Sequence, residues 1–288
     1  MKIGILSSGI LGFKSLQFFC KELQYPDFIA TDKKSNLIIE FAERHSIKLF
    51  LGNPRNGRLK EFIGEENLSV LFSINYLFLI DNEIIKSAKY AINLHGSLLP
   101  KYRGRSPHIW AIINNEKITG VTAHFIDDGC DTGNIIVQKK IKILSTHTGG
   151  EILKEFEKIY PLIILEVFDK ISSGIIESKS QNNSKATIYG KRTPEDGEIN
   201  WSWQKERIRN WVRAQAFPYP GAFTFFQNNK VIIDKVAFSS YGFSFDQPNG
   251  LVISDKNGFI VKTPNGAVKL VSIRNKVSNI KIGVILGK

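Results

Sequence analysis

The 288 residues predict an α/β fold, a mostly parallel sheet flanked by helices, followed by a small antiparallel β-domain. Three observations carry that prediction. Between residues 2 and 171, short apolar runs alternate with helix-length amphipathic segments. Between residues 223 and 273, short strand-like runs are separated by Asn228-Asn229, Asn249-Gly250, Asn257-Gly258 and Asn265-Gly266, the last three being strong hairpin dipeptides. The apolar run Tyr90-Ala91-Ile92 ends in Asn93-Leu94-His95-Gly96-Ser97, polar residues at the carboxyl end of a strand, where open α/β sheets hold their ligands.

Taken in order, residues 2–7 read as the first strand, and Gly9 and Gly12 flank a tight turn into a helix over 11–23. Ser7-Ser8-Gly9-Ile10-Leu11-Gly12 is a relaxed form of a phosphate-cradling loop, with backbone N–H groups facing an anion at a helix start. The strict Gly-x-Gly-x-x-Gly pattern is absent, so the loop supports no claim of NAD binding. A strand at 28–30 and a helix at 36–45 follow, then a buried strand at 69–73 that leads into Tyr76-Leu77-Phe78-Leu79-Ile80, apolar enough to belong in part to the core. Ser106-Pro107 has helix-start chemistry, Ser as N-cap and Pro at the first helical position, ahead of a helix over 108–114. Strands at 121–126 and 134–143 flank a Gly-rich turn that carries Asp131. A long amphipathic helix over 149–171 is expected to be interrupted or kinked near Pro161. Residues 172–185, rich in Ser and Asn, form the linker. Beyond it, a helix over 205–215 presents Ile208, Trp211 and Val212 on one face, and strands at 223–226, 230–236, 251–254, 259–262 and 268–273 make a barrel-like β-domain. The expected division is a catalytic domain over 1–180 and, over 181–288, the linker, short helix and β-domain.

Composition narrows the class. Hydrophobic residues at 42% and charged residues at 23% are ordinary for a soluble globular chain. No run approaches the ~18 apolar residues of a membrane helix, and the N-terminal apolar stretch is too short for a signal peptide, so no membrane partner is expected. Cys20 and Cys130 give no disulfide framework, which makes a reducing cytoplasm the default. Cys130 has acidic neighbours that disfavour a thiolate, and it reads as a small filler rather than a nucleophile. Two cysteines and five histidines without ligand spacing, and carboxylates Asp127, Asp128 and Asp131 outside the twelve-residue calcium pattern, argue against a metal site. Residues 1–174 hold 22 Lys and Arg against 19 Asp and Glu, and residues 175–288 hold 17 against 8. That basic C-terminal part suits an anionic partner: a phosphate-bearing small molecule, RNA or a membrane surface.

Asn93 and His95, spaced i, i+2 on a strand, point to the same face. The amide can supply a donor and the imidazole a proton acceptor, while the Asp131 carboxylate orients or balances the imidazole. His124, on the strand 121–126, reads as a supporting group. His45, His108 and His147 default to the surface. Three neighbouring carboxylates are expected to raise one another's pKa and so favour a proton acceptor near neutrality.

Asn93-x-His-Gly-Ser-Leu-Leu-Pro-x-Tyr-Arg-Gly104, followed by Thr122-x-His-x-x-Asp-x-Gly-x-Asp-Thr-Gly133, resembles the 10-formyltetrahydrofolate-dependent formyltransferase family. The resemblance covers roughly residues 1–225, and the last sixty or so match only in being a small β-domain. It implies a Rossmann-like formyltransferase domain and a catalytic triad of Asn93, His95 and Asp131. Asn93 would donate to the formyl oxygen, a role worth ~3–4 kcal/mol where single donors have been deleted. His95 would stabilise the same oxyanion or shuttle a proton, and Asp131 would hold the imidazole and accept the proton, directly or through a water. The co-substrate implied is 10-formyltetrahydrofolate, with Tyr76, Phe78, Leu79, Ile80, Asp128 and Gly129 at its site. Ser8, Gly9, Arg103, Arg105, Lys191 and Tyr219 are expected at the second substrate, whose diphosphate suits a guanidinium or ammonium.

The acceptor divides the family. Its tRNA enzymes carry a basic insertion after their second strand, and here Thr31-Asp32-Lys33-Lys34-Ser35-Asn36 leads straight into a helix. The stretch 189–201, with Val212-Arg213-Ala214 and Pro218-Tyr219-Pro220-Gly221-Ala222-Phe223, resembles the sugar N-formyltransferases. The expected substrate is therefore a UDP-, dTDP- or GDP-linked amino-deoxysugar, for lipopolysaccharide, capsule or flagellin glycans, handled by a cytoplasmic homodimer without nucleic acid. A methionyl-tRNA formyltransferase is the alternative, ahead of a formyl-folate hydrolase and a non-catalytic binding module.

Overall fold

The computed structural model describes residues 1–65, 67–256, 258–275 and 280–287. The turn expected at Asn257-Gly258 lies, at Asn257, outside the described residues. The chain divides into two compact units, each discontinuous in sequence. The first comprises Met1–Gly104, Ile118–Lys142 and Leu153–Tyr189, and the second Arg105–Lys117, Ile143–Ile152 and Gly190–Lys288.

From the N-terminus the elements are β1 (Ile3–Ser7), α1 (Gly9–Glu22), β2 (Phe28–Thr31), α2 (Asn36–Arg44), β3 (Lys48–Leu51), α3 (Arg58–Ile63) and β4 (Leu68–Ile74). They continue as α4 (Asn82–Lys86), β5 (Ala88–His95), the two-residue β6 (Arg103–Gly104), α5 (Pro107–Ile113), β7 (Ile118–Phe125) and β8 (Ile135–Lys142). Then come α6 (Gly149–Ser172), the two-residue β9 (Ile188–Tyr189), α7 (Lys205–Gln215), and β10 (Ala222–Phe226). The last strands are β11 (Asn229–Ser239), β12 (Val252–Ser254), β13 (Ile260–Thr263) and β14 (Gly266–Ile273). Two expectations are corrected here. The interruption expected near Pro161 does not occur: α6 continues through it as one helix, held by the buried Phe156, Tyr160, Ile163, Ile164 and Val167; packing of that face outweighs the lost backbone bond. Ser106 precedes α5 but sits at φ 54 with no side-chain cap, because a left-handed residue points its hydroxyl away from the first-turn N–H groups.

In the first unit a seven-stranded sheet has the order β3-β2-β1-β4-β5-β7-β8. β1 to β5 pair in parallel and β7 and β8 join antiparallel. β1 is buried along its whole length, as a parallel strand covered on both faces must be. On one face Phe19 of α1 meets Phe72 of β4 and Phe168 of α6 edge-on. On the other, Leu59 and Ile63 of α3 and Ile84 of α4 pack with Leu6, Phe28, Phe50, Leu71 and Ala91 from the sheet. Ala91 fixes the direction of the site: Asn93 and His95 follow it at i+2 and i+4 and face the α3–α4 side.

In the second unit α7 buries Ile208, Trp211 and Val212, the face expected of it. The guanidinium of Arg192 lies 4.9 Å from the ring of Trp110 in α5 and 4.4 Å from that of Trp211 in α7. Five antiparallel strands follow in the order β10-β11-β14-β13-β12. Beyond β12 the chain adds residues 283–287: Val252 N–H donates to Val284 O at 2.8 Å and Leu286 N–H to Gly250 O at 2.9 Å. Gly287 N–H donates to Phe225 O of β10 at 2.8 Å, so one segment is bonded at both ends of the strand order. No helix among the described residues is long and apolar enough to cross a membrane.

Candidate active site

The antiparallel register of β5 and β7 puts Asn93 opposite His124 and His95 opposite Thr122. Residues directly opposite share a face, which is how the sheet gathers Asn93, His95 and His124. A register shift in the β7–β8 ladder falls between Ala123 and His124, at the point where β7 leads towards the Asp131 turn; such bulges re-aim side chains beside functional sites. Asp131 returns to the cluster in a left-handed backbone conformation, φ 55. Its Oδ2 lies 3.5 Å from His95 Nδ1, and its Oδ1 3.5 Å from His124 Nε2. The three residues expected to act together are therefore brought together within the first unit, with His124 as a fourth member.

The hydrogen bonds assign a direction to each group. Tyr102 O can only accept, so at 2.7 Å His95 Nε2 carries the hydrogen and donates. His95 Nδ1 is then the nitrogen turned to Asp131. His124 Nδ1 donates to Phe125 O at 2.7 Å, so its Nε2 accepts from Asn93 Nδ2 at 3.1 Å. The same amide nitrogen reaches Asp131 Oδ1 at 3.4 Å, the outer limit of a hydrogen bond. Gly104 N–H donates to Asp131 Oδ2 at 2.8 Å. Thr122 steadies the loop after β5, its hydroxyl donating to Ser97 O at 2.6 Å and accepting from Leu99 N–H at 3.2 Å.

Burial lowers the pKa of His95 below its ordinary 6.5, against the opposing pull of Asp131. Burial alone would raise Asp131, but its interactions with His95 and His124 and the Gly104 N–H outweigh it and hold the carboxyl well below the usual range. The expected mutual elevation of three carboxylates does not occur at Asp131. Asp127 turns away into its own loop, where Oδ1 accepts from Thr132 Oγ1 at 2.6 Å and from Gly129 N–H at 3.2 Å. The resting cluster thus pairs an ionised carboxylate with a neutral imidazole whose bare nitrogen faces it. A proton entering that gap binds both groups, and an amide hydrogen on a long bond stands beside it. Such a set can donate to a developing oxyanion and accept one proton from a nucleophile.

Residues 53–168 match the model of the formyl transferase family, and residues 191–281 that of the formyl transferase C-terminal domain. The chain belongs to the formyl transferase family. This formyl transferase is 37% identical over 202 residues to the methionyl-tRNA formyltransferase of Thermodesulfovibrio yellowstonii, across 70% of its own length and 64% of that enzyme's. It is 31% identical over 240 residues to the methionyl-tRNA formyltransferase of Ruminiclostridium cellulolyticum, covering 82% of its own chain and 76% of the relative. Among solved structures it resembles WlaRD, a sugar 3N-formyl transferase determined in the presence of dTDP and 5-N-formyl-THF. The TM-score is 0.71 at 25% identity, covering 96% of this chain and 99% of that one.

The formyl transferase places its other sequence-marked residues as follows. In the loop between β4 and α4, Tyr76, Phe78 and Ile80 are half-buried and Leu79 is 64% exposed; Tyr76 and Ile80 pack against the core, so the run belongs to it in part, as expected. The rings of Tyr76 and Phe78 meet edge-on at 5.5 Å. Asp128, Gly129 and Cys130 are exposed, and Cys130, with Sγ 3.7 Å from Asp131 Oδ2, is no interior filler. Ser8 is buried, and Gly9 N–H already donates to Ser35 Oγ at 2.9 Å. Arg103 is buried, its Nε and Nη2 donating to Gln181 Oε1 and its Nη2 also to Asn183 Oδ1. Within the second unit Arg105 and Lys191 are exposed, and Tyr219 bonds His108 Nε2 through its hydroxyl at 2.6 Å, so His108 is not the surface histidine expected. Gln181, hidden in a polar linker, and the backbone of Tyr102 and Gly104 carry no side-chain signal in the sequence; only the motif around them marked the place.

Proposed function

We propose that this protein transfers a formyl group from 10-formyltetrahydrofolate to the amine of a nucleotide-linked amino-deoxysugar. The observation that carries the transfer chemistry is the convergence of Asn93, His95 and Asp131 at the end of β5. Formyl-folate supplies the one-carbon unit when bound. The 75–81 loop suits its ring, because half-buried Tyr76 and Phe78 stand beside the exposed apolar Leu77 and Leu79, and an exposed apolar run is the ordinary mark of a ligand wall. Asn93 releases its 3.4 Å bond to Asp131 and donates to the carbonyl oxygen of the transferred group as charge builds there. His95 Nδ1 and Asp131 Oδ2 take up the proton that the attacking amine loses. They return it to the folate N10, whose bond to the formyl carbon breaks as the new C–N bond is kept, leaving tetrahydrofolate and the formamide. Gly104 N–H and Tyr102 O hold both groups for that step.

The choice of acceptor is supported by the likeness to a sugar 3N-formyl transferase along nearly the whole of both chains. It is also supported by the loop after β2, which is only the four residues between Thr31 and Asn36 and has no room for a stem-binding insertion. Methionyl-tRNA is the second reading, favoured by the 37% and 31% identity to methionyl-tRNA formyltransferases. Incubation with formyl-folate and both acceptors, with products followed by mass, separates the two. A formylated amino sugar is expected; formylated methionyl-tRNA without sugar product overturns the acceptor while leaving the transfer chemistry in place.

A further inference from the structure

The tripeptide 102–104 touches both ionisable members of the cluster: Tyr102 O accepts from His95 and Gly104 N–H donates to Asp131 Oδ2. The side chain between them reaches elsewhere. Arg103, 4% exposed, donates to Gln181 Oε1 from Nε at 3.2 Å and from Nη2 at 2.7 Å, and to Asn183 Oδ1 at 2.8 Å. A guanidinium on Oε1 fixes which way the Gln181 amide points. Nε2 is then delivered to the Asp131 turn, where it donates to Asp131 O and to Gly133 O, each at 2.8 Å. The side-chain amide of this glutamine is thus committed on both sides, Oε1 accepting twice from Arg103 and Nε2 donating twice to the turn.

The segment bearing Gln181 is pinned on both flanks. Ile135 and Lys179 exchange two backbone bonds at 2.8 Å, and β9 pairs in parallel with β6. Tyr102 N–H also donates to Thr187 Oγ1 at 2.8 Å, and the rings of Tyr102 and Tyr189 stack at 5.0 Å. The residue so held needs holding, since a non-glycine residue at positive φ persists only where its surroundings impose it. We propose that Arg103 and Gln181 are positioning residues, a clamp that holds the Asp131 turn so that its carboxylate faces His95. The inference rests on the proposed roles of His95 and Asp131, and it moves Arg103 from diphosphate binding to the support of the site.

The test reads the His95 imidazole by nitrogen NMR of the full-length protein, alongside steady-state kinetics. Gln181→Met keeps the bulk of the side chain and removes the amide; Gln181→Glu keeps an acceptor for Arg103 but has no N–H for the two carbonyls. Both are expected to shift the His95 titration and to lower kcat roughly 10–100-fold, the cost of about an ångström of misplacement. The KM for formyl-folate should change less than about threefold, as for a group that does not bind substrate. Arg103→Met should match them, and the double variant should lose no more than the single ones. His124 in β7, Cys130 beside Asp131 and Tyr160 in α6 also lie near the pair, so the His124 signals are assigned separately. Unchanged His95 titration in Gln181→Met, additive losses in the double variant, or a loss confined to KM or to melting temperature overturns the clamp. If Arg103→Met does not fold, the two Gln181 variants decide. The titration needs no substrate, so failure of formyl transfer in the wild type would sink the functional reading while the clamp is still judged on the imidazole.

Discussion

At the scale of single residues, the site is a set of donors with unequal claims on them. Asn93 has one amide hydrogen on a 3.1 Å bond to His124 and one on a 3.4 Å contact with Asp131; the second is the cheaper to redirect to a substrate oxygen. Replacing His95 by Asn, or Asp131 by Ala, is expected to lower turnover by ~10²–10⁴ while the protein stays folded. Neither side chain fills the apolar core, so circular dichroism should stay near wild type, with melting lowered in Asp131→Ala by the lost carboxylate interactions; full turnover in either variant removes that residue from the mechanism. A second expectation concerns pH. His108, bonded to Tyr219, has its pKa lowered by burial from 6.5 to about 4. The unfolded chain binds this proton first, so the stability His108 contributes is complete above pH 6.5 and is lost as pH falls towards about 4. Urea midpoints should decline over that window, and His108→Gln should flatten the decline; an identical decline in the variant would assign it to other groups. Asn93, His95 and Asp131 were legible in the sequence because polar residues at a strand end and in a Gly-flanked turn have no business in a core. Arg103 was not. Its charge advertised an anion, and only the fold shows that charge buried on Gln181 and Asn183.

At the scale of elements, the long periodic segments were readable and the short ones were not. α1, α2, α6 and α7 fall within a few residues of their expected bounds, since amphipathic periodicity over several turns leaves little choice. β3, α3 and α4 span four, six and five residues, too few for a period to register, and were not anticipated. The most consequential difference lies in 172–185. Its Ser, Gln and Asn residues read as a solvated tether, yet Lys179 and Gln181 are bonded to the sheet and to the Asp131 turn, because amides satisfy buried carbonyls as well as water does. Gly104 shows how tightly β6 and β9 are joined. It sits at φ 92, and a Cβ there would run into the carbonyl oxygen of Tyr189. Gly104→Ala is therefore expected to part the two strands and to draw its N–H away from Asp131. Strain at positive φ together with the clash should cost ~2 kcal/mol or more, seen as a lower urea midpoint, and turnover should fall with it. A variant as stable and active as wild type would mean that the β6–β9 pairing does not govern the site.

At the scale of the whole molecule, charge is what distinguishes the two acceptors. The protein carries a formal net charge of +12, and residues 175–288 hold 17 basic against 8 acidic side chains. Such an excess attracts any polyanion without choosing one. The strand-after-strand reading of this region anticipated the antiparallel sheet, but a sheet with basic residues on it does not say what they meet. Salt dependence does, because it counts contacts. Each phosphate neutralised releases condensed counterions, so log K for a nucleic acid falls by ~0.7–0.9 per phosphate contact for each decade of salt. An acceptor stem gripped for catalysis involves several phosphates and would give a correspondingly steep line. A nucleotide sugar has a single diphosphate and no counterion atmosphere of that kind. If the amino sugar is the substrate, its KM should rise only about severalfold between 50 and 500 mM salt, as expected for one diphosphate held by one or two cations. Methionyl-tRNA should bind only at low salt, as any polyanion does to a basic surface, and without being formylated. Binding and kinetics measured across that range for both ligands decide the matter: a shallow slope with sugar turnover supports the reading, and tRNA turnover that follows a steep slope transfers the same chemistry to the other acceptor.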